Sequence, residues 1–304
     1  MAGGASREIK RKIQSIQNTR KITKAMEMVA ASKMRRCQER MMASRPYARR
    51  ILRIIQHVAY ANVQFRHPYL EKREGKRYGL LVVTTDRGLC GGLNANLFRA
   101  LIRRMKRWDE EGVTFKLGVI GQKGVNFFKS INAPVVAYKT QLGDYPHLED
   151  IVGVTKAMLD LYGRGELDRL YLVFNEFIST MSQRPVIQQL LPIELEEESP
   201  FSHEIEKMIS EGYEWLKGYW DYLYEPDAES VLSELLVRYQ EALVYQALVE
   251  NKACEQAARM IAMKNASDNA GKLIDELQLL YNKARQAAIT TEISEIVSGA
   301  AAVQ

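Results

Sequence analysis

Cysteine is scarce in this 304-residue chain: Cys37, Cys90 and Cys254 are odd in number, far apart and in no CxxC spacing. That argues against a disulfide framework or a zinc site and predicts a reducing compartment. His57, His67, His147 and His203 show no metal-ligand spacing and accompany no nucleophile motif, so neither a metal nor a catalytic residue is expected. No run of eighteen apolar residues occurs, and no membrane-spanning helix is predicted. The opening MAGGASREIKRK lacks the apolar core of a secretory signal. Aromatic residues are missing from the first 46 positions. Glycine and proline are absent between Ala5 and Arg45 and again between Asp227 and Ala270. Both residues break helices, so their exclusion predicts two long rods.

Between Pro68 and Pro226 stand 15 of the 19 glycines and seven of the 8 prolines. The middle is therefore a compact domain of a different kind. Its signals alternate: strands over 78–85, 115–121, 134–139, 170–177 and 185–191, with helices over 95–110, through Phe127 and Phe128, and over 148–165. This alternation predicts a mostly parallel sheet with covering helices, the last two strands forming an antiparallel edge hairpin. ELEEESPFSHEIEKMISEGYEWLKG (194–218) reads as an acidic excursion with a short amphipathic helix over 203–217, and WDYLYEP (220–226) as an extended aromatic piece. The division expected is a first rod over 1–62, a central domain over 75–226 and a second rod over 227–304.

The first rod has an apolar stripe at Ile9, Ile13, Ile16, Met26, Val29 and Met34, and Pro46 is expected to kink or interrupt it. The second has a heptad-like series: Val231, Leu235, Ala242, Val249, Gln256, Met260, Met263, Ala270, Leu273, Leu277, Leu280, Ala284, Ala287 and Ile293. Two such stripes predict an antiparallel coiled coil closed by the middle domain.

Charge is uneven. Residues 1–60 hold fifteen Lys and Arg against Glu8, Glu27 and Glu39, whereas 194–230 hold twelve acids against Lys207 and Lys217. The basic rod seeks an acidic partner. A nucleic-acid-binding coiled coil remains an alternative, although the missing aromatics and the continuous apolar stripe favour protein packing. A nucleotide-binding enzyme is the other, resting on DRGLCGGLN (86–94), whose segment Gly88–Asn94 turns from a strand into a helix. Such a turn can offer amides to a phosphate, but it fits neither GxGxxG nor GxxxxGKS. A tight turn needing glycine is the simpler reading.

NTRKITKAMEMVAASKMRR (18–36) resembles the N-terminal helix of the gamma subunit of F-type ATP synthases, and ITTEISEIVSGAAA (289–302) resembles its C-terminal signature. LVVTTDRGLCGGLN (81–94), QQLLP (188–192), WDYLYEP (220–226) and LQLLYNKARQAAIT (277–290) are similar as well. The resemblance covers essentially the whole chain. It implies a coiled coil of the terminal helices with a central Rossmann-like α/β domain. It also implies a rotor shaft without a catalytic site or cofactor of its own, coupling a proton-driven c ring to ATP synthesis by an alpha–beta hexamer. The partners implied are alpha, beta and epsilon subunits and the c ring, at the cytoplasmic face of a bacterial inner membrane.

By the same resemblance, Met26 faces an acidic lever of a beta subunit, with Lys21, Lys24, Lys33, Arg35 and Arg36 around it. Arg285, Gln286 and Thr290 engage a loop of the catalytic subunits, and Arg259 belongs to torque transmission. Tyr222, Tyr224 and Glu225 rest on the c ring. Chloroplast members carry a thiol-regulated insert near 194–218, but this excursion has no cysteine, so no redox switch is expected there.

Overall fold

The computed structural model describes residues 2–61, 67–193, 225 and 227–303. The acidic excursion 194–218, its expected helix, His203, Tyr222 and Tyr224 lie outside the described residues. The chain runs α1 (Ala2–Ala61), β1 (Arg77–Val83), α2 (Leu93–Glu110), β2 (Thr114–Ile120), α3 (Gln122–Ser130), β3 (Val135–Lys139), α4 (Glu149–Gly163), β4 (Arg169–Phe177), β5 (Gln183–Leu191) and α5 (Ala228–Val303). It packs as two units. One comprises residues 1–34, 89–91 and 256–304; the other comprises 35–88 and 92–255. The units divide both long helices along their length, whereas the three-part expectation followed helix ends.

The sheet of the second unit has the order β3-β2-β1-β4-β5, with β1, β2, β3 and β4 parallel and β5 antiparallel to β4 at the edge. Its central strands read as unbroken apolar runs because helices cover both faces. Leu80, Val82, Val119 and Val173 pack with Leu97, Leu101, Trp108 and Phe128 of α2 and α3. On the other face Leu81, Val83, Ile120 and Leu172 meet Met158 and Tyr162 of α4, Ile51 and Ile55 of α1, and Leu232, Leu236, Val244 and Leu248 of α5.

Gly121 makes the turn from β2 into α3 at φ 101°, where a Cβ would collide with the Thr84 carbonyl. Gly121→Ala is expected to cost about 2 kcal/mol in urea unfolding, from strain and overpacking together.

Of the expected kink or interruption at Pro46, the interruption does not occur: helix α1 is unbroken across it. The carbonyl that Pro46 leaves without a donor belongs to Met42, which is 67% exposed and open to water. Asp227 starts α5 as its N-cap, accepting from the Ser230 amide at 2.8 Å and the Ser230 hydroxyl at 2.9 Å. Helix α5 changes character along its length. It is buried on every side from Ala247 to Ala257 and buries only a narrow stripe beyond.

Candidate functional site

In the first unit, residues 1–34 of α1 pair with 256–303 of α5. A Cβ on Gly271 would stand 3.5 Å from Arg20 Cζ, while in the second unit Cys37 and Met41 pack on Val249 and Ala253. Numbers rise along α1 as they fall along α5, so the helices are antiparallel. The α5 seam is Met263, Ser267, Ala270 and Ile274, continued by half-buried Leu277, Tyr281, Ala284 and Ala288. That is an alternating four–three spacing, the repeat of paired helices. Among the described residues of α1 in this unit, Thr23 and Ala30 are buried, with Ile9, Ile13, Ile16 and Met26 half-buried.

Five seam assignments differ from the sequence reading. Val29 is 53% exposed while Ala30 is buried, and Leu273 and Leu280 are 44% and 54% exposed while Ile274 is buried and Tyr281 half-buried. Ala287 and Ile293 are exposed as well, and Ala288 is half-buried. At Val29, Leu273, Leu280 and Ala287 the residue that enters the seam is the next one along the helix.

The outward face of this unit is unusual for one that water alone surrounds. Ile22, Met28 and Val29 on α1 and Leu279, Leu280, Ile289, Ile293, Ile296 and Val297 on α5 are all exposed, from 47% to 67%. Lys21 and Lys24 stand among them on α1, Lys24 pairing with Glu27 at 3.1 Å. Residues 1–34 carry eight Lys and Arg against Glu8 and Glu27, whereas 256–304 are balanced. Exposed apolar surface threaded with charge of one sign marks a surface that a partner covers.

The remaining predicted residues fall as follows. Lys33 is half-buried, and Arg285, Gln286 and Thr290 are exposed, the Thr290 hydroxyl donating to the Gln286 carbonyl at 3.0 Å. Arg259 is only 9% exposed and donates to Gln256 at 3.2 Å. In the second unit Arg35, Arg36 and Glu225 are exposed. Arg36 donates to the Tyr145 hydroxyl at 3.1 Å, and Arg40 lies over the Tyr145 ring.

At the carboxyl edge of the parallel strands, where α/β sheets take phosphates, the chain supplies its own anion. The Asp86 carboxylate accepts from the amides of Gln122 (3.0 Å), Gln141 (3.1 Å) and Leu142 (2.9 Å). Asn94 folds back to donate to the Thr85 hydroxyl at 2.7 Å, which donates to the Arg87 carbonyl at 2.7 Å. The amides that begin α3 and the loop after β3 are thus bound internally. Burial raises the Cys37 and Cys254 thiols above their usual range, and Cys90 is buried too. A thiol-selective reagent should label none of the three until the protein is unfolded.

Sequence reasoning placed Gln256 in the seam but missed the buried polar stretch of α5 that leads to it. Glu250, Asn251, Lys252, Glu255 and Gln256 are each at most 5% exposed. Their charge resembles that of a solvated helix face, and only the topology shows otherwise. Among the described residues no helix is long and apolar enough to cross a membrane, and no cluster of metal-binding side chains forms.

A family model described as ATP synthase matches residues 5–303. The ATP synthase gamma chain of Methylococcus capsulatus is 61% identical over 297 residues, 98% of this chain and 99% of that one. Its counterpart in Nitrosococcus oceani is 58% identical over 303 residues, 100% of each. Among solved structures, the Euglena gracilis mitochondrial ATP synthase rotor has the same fold at TM-score 0.60 and 19% identity, over 94% of this chain and 99% of that one. The central stalk and c-ring structure of the Tetrahymena thermophila mitochondrial ATP synthase contains a chain with TM-score 0.58 and 25% identity, over 81% and 99% respectively.

Proposed function

The chain belongs to the ATP synthase gamma chain family, and on that premise we propose that it is the central rotor shaft of a proton-translocating ATP synthase without a catalytic site of its own. The observation that carries this reading is the paired-helix unit, whose outer face combines exposed apolar residues with a one-sided excess of cations. An enclosing hexamer of alpha and beta subunits would cover that face. Because the basic α1 and the balanced α5 present different sides, rotation would change what each surrounding subunit meets.

In this reading Met26, Lys21, Lys24, Lys33, Arg35 and Arg36 face acidic levers of the beta subunits, and Arg285, Gln286 and Thr290 meet their loops. Arg259, being buried, acts through the helix pair and does not itself touch a partner. Tyr222, Tyr224 and Glu225 rest on the c ring beside epsilon, and the complex lies at the cytoplasmic face of the bacterial inner membrane. Proton flow turns the ring and the shaft, and the catalytic chemistry stays with the beta subunits. The internal use of the phosphate-binding edge by Asp86 favours this over a nucleotide enzyme.

Co-purification from membranes tests the assembly: alpha, beta, delta and epsilon chains should accompany this one. ATP turnover by the isolated chain, abolished by Gly91→Val, would instead revive the enzyme reading. Charge reversal by Lys21→Glu with Lys24→Glu should slow association with alpha–beta hexamers by about tenfold at low salt, and the difference should shrink at high salt. Stopped-flow binding at two ionic strengths measures both.

A further inference from the structure

We infer that Lys252, through Asp86, is a positioning residue that fixes the rotation of α5 about its own axis against the sheet. The inference rests on the shaft reading above.

Helix α5 is gripped on one side by the end of β4. The Phe177 amide donates to Glu250 at 3.0 Å, the Asn175 side chain donates to Asn251 at 2.9 Å, and the Cys254 thiol donates to the Asn175 carbonyl at 3.2 Å. Lys252 follows Asn251 by about 100° around the helix and Glu250 by about 200°, so it points away from that grip. There its ammonium stands 3.3 Å from Glu255 and 4.0 Å from Asp86, with only 6% of its side chain exposed. Asp86 in turn holds the amides that begin α3 and the loop after β3.

The hydrophobic driving force is non-directional, whereas hydrogen bonds and ion pairs specify an angle. Polar contacts on opposite sides of one helix therefore resist twist about its axis. Apolar residues of similar volume serve stability as well as a buried ion pair does, so holding power alone does not account for charge here. Helix α5 continues without a break from this seat to Val303, and twist received at the sheet passes along it.

The test uses the assembled complex, immobilised through its catalytic hexamer, with a bead attached at Lys156→Cys on the exposed face of α4. The double variant Lys252→Met with Glu255→Gln removes the cation and its partner on the same helix, and leaves Asp86 held by three backbone amides. Angular variance of the bead during catalytic pauses should rise at least about twofold, the lower end of what single members of a coupling network change. ATP hydrolysis without load should stay as it was. Lys252→Gln keeps a donor beside Asp86 and leaves the three amide contacts of that carboxylate in place, and it should raise the variance alike, which guards against a double variant that fails to fold. Unchanged variance in both variants overturns the inference. A complex whose bead does not rotate at all, even with Lys252 in place, overturns the shaft reading instead.

Discussion

Ile274→Asp should part the paired helices. Ile274 is 5% exposed in the α5 seam, and a carboxylate there loses the buried side chain and gains an unpaired charge, at a cost of at least about 3 kcal/mol. Circular dichroism should show helix melting at lower temperature in the variant. In the assembled enzyme, protons pumped per ATP should fall while hydrolysis persists. Leu280→Asp is the contrasting case. At 54% exposure it should change the stability of the isolated chain by no more than about 0.5 kcal/mol. Equal loss of helix in both variants would refute the seam as drawn.

The second large effect lies at the start of the sheet. Asp168, 3% exposed, accepts from the Arg77 amide at 3.0 Å and from its guanidinium at 2.9 and 2.7 Å. Asp168→Ala leaves the start of β1 without its acceptor and should cost about 3 kcal/mol in urea unfolding. The side-chain hydrogen bonds from Arg77 hold the Asp168 carboxyl below its ordinary value. A depressed folded-state pKa contributes stability above the unfolded value of about 3.9 and loses it as pH falls through the folded one. The native chain should therefore lose stability steeply below about pH 4, and the variant less so. Parallel pH profiles of the two would contradict this role.

Much of the fold was legible because local pattern and tertiary environment agree. Central strands such as Leu80–Val83 are apolar throughout and lie between two helix layers, and the short link before Gln183 forces an antiparallel edge pair. Legibility failed where burial does not follow hydrophobicity. Ala30 and Thr23 enter the seam because they are small, while Val29 and Leu280 remain outside for a partner to cover. The buried charges of α5 were unreadable for the same reason: Lys252 and Asp86 are 166 residues apart in sequence, and only the folded chain brings them together. Site residues were named through family resemblance, and the structure adds how the described ones are presented. Lys21 and Arg285 are open to a partner, whereas Arg259 is enclosed.

The most direct measurement follows a bead attached at Lys156→Cys while the immobilised complex hydrolyses ATP. Rotation in one direction, at a rate that tracks hydrolysis, is the result a rotor shaft predicts. Hydrolysis at full rate with this chain stationary, and no loss when it is cross-linked to the hexamer, would contradict it.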